Sequence, residues 1–256
     1  MRLRLTFLLF VAATCHVWAD RTLENWTELG ALDGGSVAWQ ADIRSDTRNI
    51  RVMGISFPSK NCVFRVIDNS LSNRRSLSSA LAESGAMAGS NGGYFSRDFR
   101  PLGLTVCNGE IIQPFERAKL LSGVLAVRKG RIELVRSSNF KTGSDLQDAL
   151  QAGPWLVERD APVAGLDNVR TARRTVVAND GQGRWALIAI SSVTLAEAAN
   201  VLCLKGMAGT LKITNALNLD GGSSTALRAD SNGRTLIDIT SFGPVRNYLA
   251  IIARQH

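Results

Sequence analysis

The run Asn215-Ala216-Leu217-Asn218-Leu219-Asp220 leads into Gly221-Gly222-Ser223-Ser224-Thr225. An apolar strand thus delivers a carboxylate to a Gly-Gly turn. That arrangement suits a carboxylate held at the floor of a pocket, beside main-chain N–H groups that can nest an anion. The competing reading of Asp220 is an Asx turn, which Asp adopts readily before Gly. A second segment, Arg173-Arg174-Thr175, feeds another strand. A guanidinium at a strand mouth is a planar fork that matches phosphate or carboxylate. A third, Asn91-Gly92-Gly93-Tyr94-Phe95, has two glycines that allow a sharp turn and close approach of a ligand to the backbone. A fourth, Gln151-Ala152-Gly153-Pro154-Trp155, sets a bend before an apolar strand and offers Trp155 as a sugar-stacking ring or as core.

Other chemistries are excluded by what is missing. The 256 residues contain two histidines, His16 and His256. With His16 in a removed leader, one histidine remains, at the last residue, which disfavours a Ser-His-Asp triad, a Cys-His dyad and a zinc site on histidines. Acid–base work must rest on Asp, Glu, Tyr or Lys. The Asp220 segment is not a nucleophile elbow, because Thr225 stands where the second glycine is needed. No Gly-Lys-Ser/Thr occurs for a P-loop, and the acid spacing of an EF-hand is absent. Asp220 could take a divalent ion, but no second carboxylate clusters with it in these motifs, so no cofactor is expected.

The elements that must carry these segments are mostly strands. Alternation predicts strands at 36–43, 51–56, 62–67, 102–107, 123–127 and 132–135, and the later runs at 175–178, 185–191, 217–219 and 249–253 also read as strands. A small-residue strand at 86–90 precedes Asn91. Lys129-Gly130-Arg131 reads as a tight turn, and 179–183 as a hairpin loop. A helical stripe runs from Ser76 to Met87, Thr194-Leu195-Ala196-Glu197 is a capping box, and Ser144 to Leu150 is a shorter helix candidate. Helices do not alternate with strands. The expected class is α+β: one domain, a mixed or antiparallel sheet and a few packed helices.

Composition bounds the setting. The chain has 45% hydrophobic and 20% charged residues, a globular balance. Arg2 and Arg4 followed by a short apolar run read as a signal peptide over residues 1–19, with Asp20 as the mature start and the domain over 20–256. Losing those two arginines takes the net charge from +8 to +6. No later stretch is long and apolar enough to span a bilayer, so an exported protein, periplasmic or secreted, is expected. The arginines are scattered and only 6% of residues are aromatic, which argues against a nucleic-acid surface. Cys62, Cys107 and Cys203 allow one disulfide and one odd thiol. All three pairings are open, with a weak preference for Cys62–Cys107 because both lie in strand-like runs.

Taken in order, the segments resemble the phosphodiester glycosidase family. The matching pieces are Asn91-Gly92-Gly93-Tyr94-Phe95, Pro101-Leu102-Gly103-Leu104, Gly109-Glu110, Gly153-Pro154-Trp155-Leu156, Arg174-Thr175, Leu195-Ala196-Glu197-Ala198-Ala199 and 217–224, with 245–249 as a closing strand. The likeness spans about Ser36 to Ile252. It departs at Ser223, at Ala178 and at Arg246, where the family favours small residues or proline.

The resemblance implies a hydrolase that cuts between a sugar and a phosphate diester in an envelope or extracellular glycan. A sugar phosphate leaves readily, so the site must supply an anion clamp and a carboxylate more than a strong general acid. Arg174 is the candidate clamp. Asp220 is the candidate carboxylate, as base or oxocarbenium stabiliser. Asn91, Gly92, Gly93, Tyr94, Gly153, Thr175, Gly221, Gly222 and Ser223 are the candidate substrate-binding residues. Two other readings stand beside this one. A non-catalytic anionic-glycan-binding module keeps the pocket without turnover. A general phosphodiesterase or nuclease is disfavoured by the missing histidines and clustered acids.

Overall fold

The structure is a computed structural model that describes residues 21–45 and 48–254. The predicted leader and both histidines lie outside the described residues.

Among the described residues the strands form three antiparallel sheets. The largest has eight strands, in the order Thr22–Leu32, Ser36–Ser45, Arg48–Pro58, Arg184–Val193, Ala172–Asn179, Asn215–Asn218, Trp155–Glu158 and Ala161–Pro162. The second orders Glu110–Gln113, Thr105–Cys107, Leu146–Ala152, Gly123–Arg128 and Arg131–Arg136. The third orders Arg234–Ile239, Leu227–Ser231, Ala88–Asn91, Asn247–Ala253 and Cys62–Asp68. Two α-helices are present among the described residues, α1 (Leu77–Ser84) and α2 (Leu195–Leu202). The α+β expectation therefore holds coarsely, and the molecule is largely β.

The large sheet is buried on both faces. One face packs Ile55, Phe57, Val177, Leu187 and Leu217 against Phe64, Leu125, Leu150 and Leu249 of the other two sheets. The opposite face packs Trp39, Val52, Val176 and Ile188 under Ala198, Val201 and Leu202 of α2. Burial on both faces explains why Trp185 to Ile190 reads as an unbroken apolar run rather than an alternation. Burying one such Leu or Ile contributes about 1.5–3 kcal/mol.

Local signals work where the chain's own chemistry ends an element. Ser76 caps α1 by accepting from Ser79 N–H, and Gly85 closes it at φ +65°. Thr194 and Glu197 form both halves of the expected capping box on α2. Lys129-Gly130 makes the predicted tight turn, with both residues at positive φ.

The helix expected at Ser144 to Leu150 is instead the strand Leu146–Ala152, paired on both sides by Thr105–Cys107 and Gly123–Arg128. Tertiary pairing overrides local preference there, and Asp148 is buried to accept Val66 N–H at 2.9 Å. The Cys62–Cys107 disulfide does not form; Cys62, Cys107 and Cys203 are free thiols. Cys62 packs on the Gly34–Ser36 corner, where its sulfur meets Ser36 Oγ at 3.3 Å, whereas Cys107 belongs to the second sheet. Burial pushes all three thiols up, Cys107 to about 12 and Cys203 to about 11, which makes them poor nucleophiles. No helix among the described residues is long and apolar enough to cross a membrane.

Candidate active site

Asp220 sits on a seam between two sheets. Leu219, next to the Asn215–Asn218 strand, donates its N–H to Thr175 O at 2.8 Å in the large sheet. One residue later the chain crosses over, and Asp220 N–H donates to Gly92 O at 3.1 Å, just past the Ala88–Asn91 strand of the third sheet. The carboxyl then turns back on Gly221, whose N–H donates to Oδ1 at 2.8 Å. The carboxyl therefore caps its neighbour's N–H, one position short of an Asx turn, which would reach Gly222. Burial pushes the Asp220 carboxyl above the ordinary aspartate value, and the Ser224 hydroxyl and Gly221 N–H partly oppose that. No ion pair reaches Asp220 among the described residues.

Asn91 is the hub of the seam. It is 0% exposed. Its Nδ2 donates to Asp220 O at 2.7 Å, while its Oδ1 accepts from Thr175 Oγ1 at 2.7 Å and from Ala226 N–H at 3.0 Å. Thr175 is equally buried, so both side chains are committed to holding strands together. The Gly92-Gly93 backbone is committed as well. Gly92 N–H donates to Asn247 O at 2.9 Å, and Gly93 N–H to Asn247 Oδ1 at 2.8 Å. A Cβ on Gly92 would lie 2.1 Å from Asn247 Oδ1, so only glycine fits.

Tyr94 and Gly153 form the wall. Tyr94 donates its hydroxyl to Gly153 O at 2.5 Å, and Asn218 Nδ2 donates to both oxygens, at 2.8 and 3.1 Å. Burial first, and then the Asp220 charge, push the Tyr94 phenol well above its ordinary range, so it stays neutral. The Arg174 charge acts on the same phenol in the opposite sense. Tyr94 therefore stands within electrostatic reach of both the carboxylate and the guanidinium. A Cβ on Gly153 would meet Leu120 O at 2.0 Å, a close approach that again requires glycine. Trp155 is 3% exposed and bonds Ser122 O through Nε1 at 3.1 Å, so it is core and not a stacking platform.

The two arginines have different duties, as consecutive residues on a strand must, since they face opposite sides. Arg173 donates through Nε to Gly222 O at 3.0 Å and through Nη2 to Ser223 O at 3.5 Å. It thereby clamps the turn. Arg174 is braced by Val193 O on Nε at 3.0 Å and by Arg170 O on Nη2 at 2.7 Å. It forms no ion pair among the described residues, and burial lowers its pKa. A braced, partly desolvated guanidinium without a carboxylate partner has the chemistry to receive an anion. Gly222–Ser224 forms one short 3-10 turn, with Gly222 at φ +63° and Ser223 exposed. Arg246, in contrast, is spent on an ion pair with Asp68.

Sequence reasoning assigned no role to Asn218 or Asn247. Asn218 was legible: it lies two residues before Asp220, so the two share a strand face, and a polar residue in an apolar strand needs a reason. Asn247 carries no such signal, since its partners lie more than 150 residues away. Asn218 Oδ1, Thr225 Oγ1 and Asn247 Nδ2 are buried without a hydrogen-bond partner among the described residues. Leaving such an atom unpaired costs about 1–3 kcal/mol, and three on one seam is the pattern of a functional site rather than of a packed core. No cluster of three or more His, Cys, Asp or Glu side chains placed to hold a metal ion occurs among the described residues.

Comparisons with known proteins point the same way. Similar solved structures include a hypothetical protein from Synechocystis, at TM-score 0.60 and 16% identity, covering 86% of this chain and 62% of that one. Another is the zebrafish N-acetylglucosamine-1-phosphodiester alpha-N-acetylglucosaminidase catalytic domain auto-inhibited by its pro-peptide, at TM-score 0.57 and 16% identity, covering 92% and 83%. A third, from Burkholderia pseudomallei and named for its expected export, has TM-score 0.56 and 14% identity, covering 82% and 76%. At these identities the likeness is one of fold. This chain thus spans less than two thirds of the Synechocystis protein. No curated protein matches the sequence. The phosphodiester glycosidase family model matches residues 84–252, which carry every element of the seam, and the chain belongs to that family.

Proposed function

We propose that this protein is a hydrolase that releases a sugar from a glycosyl phosphodiester in an envelope or extracellular glycan. The observation that carries this reading is that Arg174 and Asp220 both stand within electrostatic reach of Tyr94 and yet, among the described residues, pair with no charged group and not with each other. Arg174 is braced by main-chain carbonyls, and Asp220 is desolvated. If the two were paired with each other, neither could act on a substrate. Held apart, Arg174 takes the phosphodiester, while Asp220 faces the anomeric carbon or an attacking water. There it serves as base or as stabiliser of an oxocarbenium-like transition state. The sugar phosphate leaves as a stable anion neutralised by the guanidinium.

The remaining residues position these two. Asn91, Thr175 and the Gly92-Gly93 backbone fix where Asp220 stands. Tyr94, Gly153 and Asn218 shape the wall between the charges. Gly222 and exposed Ser223 offer the turn to substrate oxygens, since the opening N–H groups of such a turn have no partner inside it, while Gly221, whose N–H is held by Asp220, joins the carboxylate to that turn. Export through a leader at residues 1–19 fits a substrate outside the cytoplasm, and the mature protein should begin at Asp20.

Asp220→Asn tests the reading. Asn keeps the turn's acceptor, so the fold and Tm should hold, while turnover of a sugar-1-phosphodiester cleaved by the wild type falls about 100-fold or more. Retained turnover would remove Asp220 from the chemistry. Wild-type binding of the diester without any cleavage would favour a glycan-binding module instead.

A further inference from the structure

A cavity of about 560 Å³ opens beside the seam, between the start of α1 and the loop from Asp238 to Pro244. Arg74, Arg75 and Arg228 line it, with Asp238 the acid among its lining residues. Arg75 is paired with Glu83, and Arg228 with Asp230 and Asp238. Arg74 has no carboxylate partner among the described residues. Ser76, Ser78, Thr240 and Ser241 add hydroxyls.

Two connections tie this cavity to the catalytic seam. On one side the Arg74 guanidinium lies 4.9 Å from the Phe99 ring centroid, and Phe99 packs edge-on to Phe95, the residue after Tyr94. On the other side, Thr240 O accepts from Arg173 Nη1 at 3.4 Å, and Phe242 N–H donates to Ser223 O at 2.7 Å. The loop that walls the cavity is therefore bonded to the turn that follows Asp220. Phe242 belongs to that loop, between the cavity-lining Ser241 and Gly243. Its ring lies on the Arg173 guanidinium at 4.0 Å and yet is 82% exposed. A large apolar side chain standing in solvent with an arginine on one face contributes nothing to a core. A ring fixed in this way presents a free face to the apolar C–H face of a sugar, and an unpaired arginine beside it suits an acidic group.

We propose that this cavity is a second glycan subsite. It takes the next anionic unit of an oligomeric phosphodiester-linked glycan, with Phe242 stacking the intervening sugar and Arg74 meeting the next phosphate. The inference rests on the proposed function, because it assumes that the scissile linkage lies between Arg174 and Asp220. It makes the preferred substrate a chain rather than a single sugar diester.

The test compares a hexamer of glycosyl-1-phosphate units with the methyl diester of one unit. Cleavage is measured on the wild type, and binding on Asp220→Asn protein. The wild type should cleave the hexamer with at least a 10-fold higher kcat/KM per linkage. Phe242→Ala and Arg74→Ala should lose that advantage while cleaving the single unit as the wild type does. Both side chains are exposed, so both variants should keep the wild-type Tm, and Phe242→Trp should restore the preference. Equal kcat/KM on both substrates, or unchanged hexamer cleavage in both alanine variants, overturns the subsite. If the wild type cleaves neither, binding decides. Tighter binding of the hexamer that depends on Phe242 and Arg74 supports the subsite while the hydrolase reading fails. Inorganic polyphosphate binding as tightly as the hexamer would show a site that reads charge alone, and would overturn the stacking role.

Discussion

Asn91 and Asp220 lie 129 positions apart, yet the Asn91 amide donates to the main-chain carbonyl of Asp220 at 2.7 Å. The same side chain accepts from Thr175 and Ala226. One buried amide thus fixes the carboxylate-bearing turn against two sheets. Asn91→Asp replaces the donating NH₂ with an acceptor facing a carbonyl. It should cost about 1–3 kcal/mol, read as a lower Tm or denaturation midpoint, with activity lost in the folded fraction. Wild-type stability in this variant would show that the hub is dispensable.

Arg174→Lys retains the charge and loses the fork. With the Val193 and Arg170 carbonyls no longer bracing a planar group, kcat/KM on a sugar phosphodiester should fall about 10-fold or more, equivalent to roughly 1.4 kcal/mol. Arg173→Lys should act differently, lowering stability by loosening the Gly222 turn. If Arg174→Lys keeps wild-type rates, the phosphate is held elsewhere.

Gly92→Ala puts a methyl group where Asn247 Oδ1 stands. Asn247 must then release Gly93 N–H, and the backbone that accepts from Asp220 N–H shifts with it. A loss of about 1–3 kcal/mol in stability is expected, together with reduced turnover. Gly92 is not in the left-handed region, so its loss reads the clash alone. Gly233→Ala, at φ +73° with nothing within 4 Å of the added methyl, should instead read the cost of a left-handed turn alone, and the two Tm changes can be compared.

The pH dependence of activity should carry the mark of a desolvated Asp220. Burial raises its pKa, so the ionised form needed for base or stabiliser chemistry is lost as pH falls through a value above that of an exposed aspartate. The acidic limb of kcat/KM should sit correspondingly high. Ser224→Ala removes a hydrogen bond that favours the ionised carboxyl, so it should move the limb to still higher pH, read from the pH profile of kcat/KM.

Asp148 sets a separate pH effect, on stability. It is buried, and burial pushes its carboxyl from 3.8 to about 6, against the pull of Val66 N–H and Arg65. The folded state thus holds a proton that the unfolded chain releases. The stability this supplies is fully present below about pH 4 and is lost as pH rises through about 6. Asp148→Asn keeps an acceptor for Val66 and should flatten the slope, raising stability at pH 7.5 by up to about 3 kcal/mol. An unchanged pH–stability curve would place the titration elsewhere.

Much of this architecture is legible in the chain. Ser76, Gly85, Thr194 and Glu197 end their helices by bonds made within four residues, so local chemistry suffices to place them. The Asn215 to Asp220 run, with its Gly-Gly stop, marks the carboxylate for the same reason. Other local signals went unread: Asn232-Gly233, both at positive φ, forms the hairpin turn between Leu227–Ser231 and Arg234–Ile239. What only the tertiary structure decides is which polar groups are spent and which are free. Arg173 and Arg174 are identical in sequence terms, and their duties separate only because successive strand residues face opposite sides, toward the Gly222 turn and toward Tyr94. Asn91 and Gly92-Gly93 look like ligand-facing residues until Thr175, Ala226 and Asn247 arrive from distant segments and take their hydrogen bonds. The strand at Leu146–Ala152 forms because two neighbouring strands demand its backbone bonds, a demand no local window contains. Hydrogen-bond satisfaction in a buried seam is a property of the assembled sheets, and so is the lack of a charged partner on Arg174 and Asp220 among the described residues.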